Sequence, residues 1–298
     1  MRMMRRGRLW AAVLPALAGL ALSAISSAAP PVAAAARTGP LVGTACPAPV
    51  SFSSLPLFAH VNGADDIMVD SSGNVWVSNV GDHQVTELSP TGAVVHVFTD
   101  EQDPEGMAQL SPTTIALANQ LSDQVVVFDT TTGGSTLWVQ LTPNGHPGVD
   151  GIGVEPGMLL VPDSAQGNLD TVPLPPFSGG PTTVATGLGR PTDATPVGDG
   201  TLLVSVENPP GLDRVNPTTG TVTPAANMKS TDDVIYRNGI AYVADNGNGT
   251  MSAVTLSSGA VNTLVTGVAE AQGLAMRADG TFLIVSEATG DIRIATGC

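Results

Sequence analysis

Residues 63–100 read GADDIMVDSSGNVWVSNVGDHQVTELSPTGAVVHVFTD. Four short runs in this stretch, IMVD, NVWVSN, QVTEL and AVVHVF, alternate apolar and polar residues with the period of a β-strand. Turn signals stand between them at Ser72-Gly73, Gly81-Asp82 and Pro90-Thr91-Gly92. Four strands joined by tight turns form an up-and-down antiparallel sheet. Such a sheet, about 38 residues long, buries too little apolar surface to stand alone and needs neighbours like itself.

The rest of the chain supplies them. The segments ADDIMVD, PEGMAQL, VDGIGVE, PTDATPV, TDDVIYR and AQGLAMR align on Asp65, Glu105, Asp150, Thr192, Asp232 and Gln272, at spacings of 40, 45, 42, 40 and 40 residues. A second strand follows each: NVWVSN, TIALAN, MLLVPD, TLLVSVE, IAYVAD and TFLIVSE. Glycine-bearing turns recur between third and fourth strands, as in SPTGA, DTTTGGS, PPFSGGP, NPTTGT and LSSGA. Six repeats of this length predict an all-β chain, a six-bladed β-propeller of four-stranded antiparallel blades. A long β-sandwich is the alternative, but it has no need of the same turn chemistry at every repeat.

The sixth repeat ends at Cys298 one strand short, while the run SFSSLPLFAH (51–60) precedes the first repeat as a spare strand. Placed as the outer strand of blade six, it closes the ring; Pro56 confines it to an edge or an irregular position. Antiparallel pairing then brings Cys46 and Cys298, the only cysteines, to the same end, and a disulfide between them is predicted.

Composition agrees with many short strands and turns: 34 Gly and 24 Pro in 298 residues. Four of the eleven basic residues, Arg2, Arg5, Arg6 and Arg8, lie in the first eight positions. Without them seven basic residues face 26 acidic ones, a net charge of −19. Such a surface repels phosphate backbones and anionic lipid, so neither nucleic acid nor a membrane is an expected partner. The basic start, the apolar run LWAAVLPALAGLALSAI and the small residues after it have the pattern of an export signal over 1–36, followed by an extended leader over 37–50 and the propeller over 51–298. A secreted monomer is expected, with a small-molecule ligand or substrate in the channel mouth.

The wording of two repeats resembles the NHL repeat: DDIMVDSSGNVWVSNVGDHQV and TDDVIYRNGIAYVADNGNGTM. The segment VDGIGVE is similar to the Asp-Gly segment of the senescence-marker-protein/gluconolactonase family, and QGLAMRADGTFLIVSEATGDI to blades of that family and of strictosidine-synthase-like proteins. The resemblance covers 51–298 and implies the calcium-dependent phosphotriesterase-like propeller fold. In the gluconolactonase-like family a divalent cation sits in the channel on ligands from the starts of the inner strands. That implies Asp150 as a ligand, with Asp65, Glu105 and Asp232 in the same column. The chain lacks the Gly-Glu-x-Pro start in blade one and the Asn-Gly-Leu segment in a middle blade.

In an up-and-down blade, the loop entering strand one and the loop leaving strand two lie on the same face. The first column there is Asp65, Glu105, Asp150, Thr192, Asp232 and Gln272; the second is Asn79, Asn119, Asp163, Glu207, Asp245 and Glu287. Eight carboxylates among these positions repel one another unless they hold a cation, take up protons or are kept apart by water. Oxygen donors suit Ca²⁺ best. An Asp or Asn ending strand two also caps the following turn, and Asp66 and Asp233 are expected to be turn residues. His146, in NGHPGVDG, lies on the loop entering blade three and is the candidate general base. It would activate water against an ester or lactone carbonyl polarised by the metal. His60, His83 and His96 are expected to be structural, and the pair of histidines with a Glu used by virginiamycin B lyase-like propellers is not found. Two readings follow: a divalent-metal-dependent hydrolase of the lactonase or esterase type, and a non-catalytic propeller binding a ligand, glycan or protein on the same face. A structural surface protein is a third.

Overall fold

The computed structural model describes residues 46–143, 148–175 and 179–298. The export signal expected over 1–36 and most of the leader expected over 37–50 lie outside these residues. No helix among the described residues is long and apolar enough to cross a membrane.

Six antiparallel blades of four strands are present, one of them extended by a short fifth strand, and the four strands of five blades follow one another along the chain. Blade one comprises Ala64–Val69, Val75–Asn79, Gln84–Leu88 and Val94–Thr99. Blade two runs from Pro104–Ser111 to Ser135–Gln140, blade three from Gly153–Glu155 to Thr182–Thr186, blade four from Arg190–Pro196 to Thr221–Ala226, and blade five from Thr231–Arg237 to Ala260–Thr266. The first strand of each blade lies against that of the next, and the sixth returns to the first.

The core is divided among the six gaps between blades. Each gap holds a cluster drawn from two adjacent blades, such as Trp76, Val85, Ile115, Leu117 and Phe128 between blades one and two. The second strands are therefore buried on both faces, as in Val75–Asn79, where all five residues are inaccessible. That burial explains why they read as near-continuous apolar runs.

Blade six carries the seam. Its strands Ala271–Met276, Thr281–Ser286 and Asp291–Thr296 are completed by Leu57–His60, which pairs antiparallel with Asp291–Thr296. The predicted strand over 51–60 is shorter than expected. Phe52–Ser54 form a 3-10 turn that buries the Phe52 ring between blades five and six, and only Leu57–His60 pair with blade six. Just upstream, Val50–Ser51 run parallel to the outer strand of blade five, opposite Val265 and Thr266. Arg293 holds the turn by donating to Leu55 O at 2.8 Å and covering the Phe52 ring at 5.3 Å. Cys46 and Cys298 are joined by a disulfide with their Cα atoms 4.4 Å apart, closing a loop over 252 positions. Tyr242 Oη accepts from the Cys298 amide at 3.2 Å and packs on Phe282.

Candidate functional site

Every first strand carries an extra residue near its start. Pairing runs Ala64↔Asn79 then Ile67↔Val77, Pro104↔Asn119 then Met107↔Leu117, and Thr231↔Asp245 then Val234↔Val243. Blades three, four and six show the same offset, Val149↔Asp163 then Gly153↔Leu160, Pro191↔Val206 then Asp193↔Ser205, and Ala271↔Ser286 then Leu274↔Ile284. Each offset is a β-bulge, and a bulge re-aims side chains that strict alternation would send to opposite faces. Two consecutive residues per blade therefore reach the channel and build two rings.

The upper ring is the first column. Asp65, Glu105, Asp150 and Asp232, the four predicted ligands, are brought together at one end of the channel. Burial pushes the carboxyls of Asp65, Glu105 and Asp232 well above the usual carboxylate range, and the charges of the other ring members push them further. Glu105 shares a hydrogen bond with Asp65 and accepts from Gln120 Nε2 at 2.9 Å. Asp150 is raised to about 6 by burial, against the pull of Arg190, whose Nη2 donates to Asp150 Oδ2 at 3.0 Å. Arg190 is also ion-paired to Glu207. Thr192 is a clasp: its Oγ1 lies 3.0 and 2.8 Å from the Thr231 and Asp232 carbonyls of the next blade. Gln272 accepts from Asn246 at 3.0 Å and donates to Glu287 at 3.0 Å.

The second ring is Asp66, Gly106, Gly151, Asp193, Asp233 and Gly273. Asp66 and Asp233 are thus channel residues, in correction of their expected role in turns, and Asp193 is one that the column reading missed. Asp66, Asp193 and Asp233 line a channel cavity of about 230 Å³ with Ile152, Leu274 and Met276. Each clasps the next blade. Asp193 accepts from Val234 N at 3.0 Å and Asp233 from Leu274 N at 2.6 Å, while Asp66 takes the Met107 amide. The glycines serve the other gaps by close approach: a Cβ on Gly273 would stand 2.7 Å from Asp65 O, and one on Gly106 would stand 2.4 Å from Ile152 N. Burial and the Asp193 charge raise Asp66 to about 7. Burial followed by the Asp193 charge raises Asp233 well above normal, and the two share a hydrogen bond.

The second column divides. Asp163 and Asp245 cap turns, accepting from Gln166 N and Asn248 N at 3.0 Å each. Asn79 and Asn119 are buried opposite the residue before the upper ring. In blades four and six the matching positions are Val206 and Ser286, so Glu207 and Glu287 lie one residue later and reach the ring. The same clasping logic buries Thr231, whose Oγ1 accepts from Val206 N at 2.8 Å and donates to Gly211 O at 2.6 Å. Thr231→Val strands both backbone groups and is expected to cost about 2–3 kcal/mol in urea unfolding; a change below about 0.5 kcal/mol would show that the blades do not depend on this link.

The predicted base, His146, lies outside the described residues. His60, His83 and His96 pair with Asp291, Asp103 and Glu87 at 3.1, 2.6 and 2.7 Å. None lies on the channel rings. The oxygen donors of the upper ring suit a hard cation chemically. Their arrangement does not enclose one: Asp150 is held by Arg190, Asp65 by Glu105, and among the described residues no three acidic, histidine or cysteine side chains converge as a metal-binding group. Arg190 was missed at the sequence level, although it is the one basic residue beside a column position.

No protein-family model and no curated protein matches the sequence. Solved structures of similar fold include regucalcin from Agrobacterium tumefaciens, described as a calcium-binding protein, with a TM-score of 0.64 at 16% identity, covering 80% of this chain and 96% of that chain. Virginiamycin B lyase from Staphylococcus aureus aligns with a TM-score of 0.59 at 15% identity over 77% of this chain and 79% of that chain. A chain of the nidogen/laminin complex aligns with a TM-score of 0.60 at 16% identity, over 71% and 84%. The likeness to NHL and gluconolactonase-like propellers holds at the level of fold.

Proposed function

We propose that this is an exported, monomeric six-bladed propeller that works by binding, and that its acidic channel mouth receives the amine or guanidinium group of a small ligand. The observation that carries this reading is Arg190: the upper ring already takes one guanidinium between Asp150 and Glu207, while Asp65, Glu105 and Asp232 make no ion pair among the described residues. A cationic organic group needs acceptors spread around it, not three ligands closed on a point. Export is supported by the basic-apolar-small N-terminal pattern and by the Cys46–Cys298 disulfide.

Calorimetric titration of agmatine into the disulfide-intact propeller near neutral pH tests this. Saturable binding is expected, with proton release as the ring ionises, and Asp232→Asn with Glu105→Gln should weaken it about tenfold or more. Absence of heat in the wild type would sink the reading. A second reading, a divalent-metal-dependent lactonase or esterase, is favoured by the all-oxygen donors together with the fold shared with a calcium-binding protein. Tight one-site Ca²⁺ binding abolished by Asp150→Ala, with lactone or ester hydrolysis lost in the same variant, would replace the first reading with the second.

A further inference from the structure

The opposite end of the channel gathers two arginines. Arg237 ends the first strand of blade five, and Arg277 follows the first strand of blade six. Both border a cavity of about 730 Å³ walled by Val69, Met276 and Pro90. Val69 and Met276 also line the channel, so this cavity is its lower mouth.

In so acidic a chain, the state of these guanidinium groups is unusual. Among the described residues Arg237 makes no ion pair; its Nη1 points to the Met276 thioether at 3.5 Å. Arg277 reaches the Pro90 carbonyl at 3.4 Å, lies over the Phe58 ring at 5.7 Å, and meets Asp279 only at 3.8 Å. The two carboxylates at the cavity spend their closest hydrogen bonds on other groups. Asp70 accepts from Ser72 N, Asn74 N and Trp76 Nε1, and Asp279 from Thr281 N and Oγ1. Space is kept for the Arg237 head: Gly280 has φ +86°, and a Cβ there would stand 3.0 Å from Arg237 Nη1.

We propose that the lower mouth binds a small organic oxyanion, a carboxylate or sulfonate on an apolar body, between Arg237 and Arg277. Guanidinium groups match planar oxyanions by paired N–H donors, and a carboxylate here would complete what the chain's own acids leave undone. The apolar walls select a ligand with a hydrocarbon portion, and the volume falls in the range of small-molecule sites. Extended polyanions are excluded by the net charge of the surrounding surface.

Fluorescence titration with anilinonaphthalene sulfonate tests the proposal on the disulfide-intact propeller, with naphthoate and inorganic phosphate as competitors. One probe per chain is expected, displaced by naphthoate far better than by phosphate. R237Q/R277Q should weaken it about tenfold or more, the scale of lost charge-assisted hydrogen bonds. Agmatine binding at the upper mouth and the melting temperature should not change in that variant, which separates a lost site from a lost fold. Probe affinity unchanged in R237Q/R277Q, equal competition by phosphate, or no probe binding by the wild type would each overturn it.

Discussion

Replacing Cys46 and Cys298 together by serine is expected to cost about 5 kcal/mol of stability and to lower the melting temperature by roughly 10–20 °C. The size follows from the length of the loop: the bond ties positions 252 apart, and in the chain-entropy model the restriction it places on the unfolded chain grows with the logarithm of that length. What the bond protects in the folded state is narrow. The seam strand Leu57–His60 makes its pairing with a single neighbour, Asp291–Thr296. Thermal and urea unfolding of the double variant, against the wild type, measures the effect. A loss under about 1 kcal/mol would show that the Phe52 plug and the strand pairing hold the ring without the bond.

Acidification from about pH 8 to about pH 5 is expected to stabilise the protein, the reverse of a fold held together by ion pairs. Asp65, Asp66, Glu105, Asp150, Asp193, Asp232 and Asp233 all have folded-state pKa values above their ordinary ones, with burial as the leading cause. A carboxyl raised on folding binds its proton more tightly in the native state than in the unfolded chain. Its contribution is complete below the unfolded value near 4 and is lost as pH rises through the folded value. For Asp150 and Asp163 that value is about 6, and for Asp66 about 7, so the loss falls between roughly pH 4 and 7. Asp129, Asp199, Asp279 and Asp291, which are lowered, act in the opposite sense, but only at the acid edge of that window. Because all seven channel carboxyls act in the same sense, the melting temperature is expected to fall as pH rises from about 5 to about 8. A melting temperature that is flat or rising from about pH 5 to about pH 8 would contradict it, and so would an unchanged slope in Asp66→Asn combined with Asp233→Asn.

The propeller was legible because its evidence is periodic. Turn chemistry and alternating runs return every 40 to 45 residues, and the missing last strand is visible as a surplus at the front. The upper ring was legible for the same reason, since a column at a fixed offset survives small errors of alignment. The lower ring was not. Asp66 and Asp233 follow an anchor directly, and in a regular strand neighbours point to opposite faces; only the bulge turns both inward. The paired acids Asp65-Asp66 and Asp232-Asp233, with Gly in the same place in blades two, three and six, were the available signal. Glu207 and Glu287 were placed correctly at the mouth but assigned to the wrong row, because the residue opposite the anchor's predecessor in their blades is Val206 or Ser286. Arg190 and Arg237 escaped notice because a single charged residue has no period.

The segment that closes the ring also sets an order of events. Residues 50–60 are made before blade one, yet their partners Val265, Thr266 and Asp291–Thr296 are made only after blades one to four. Blades one to five can assemble from neighbouring hairpins as they emerge. Leu57–His60 waits unpaired until Asp291–Thr296 has been made, so closure of blade six is expected to be the slow, long-range step of folding. Removing residues 291–298 takes away the strand that Leu57–His60 joins and one half of the disulfide, and leaves the N-terminal segment held only by Val50–Ser51 on blade five and by the Phe52 plug.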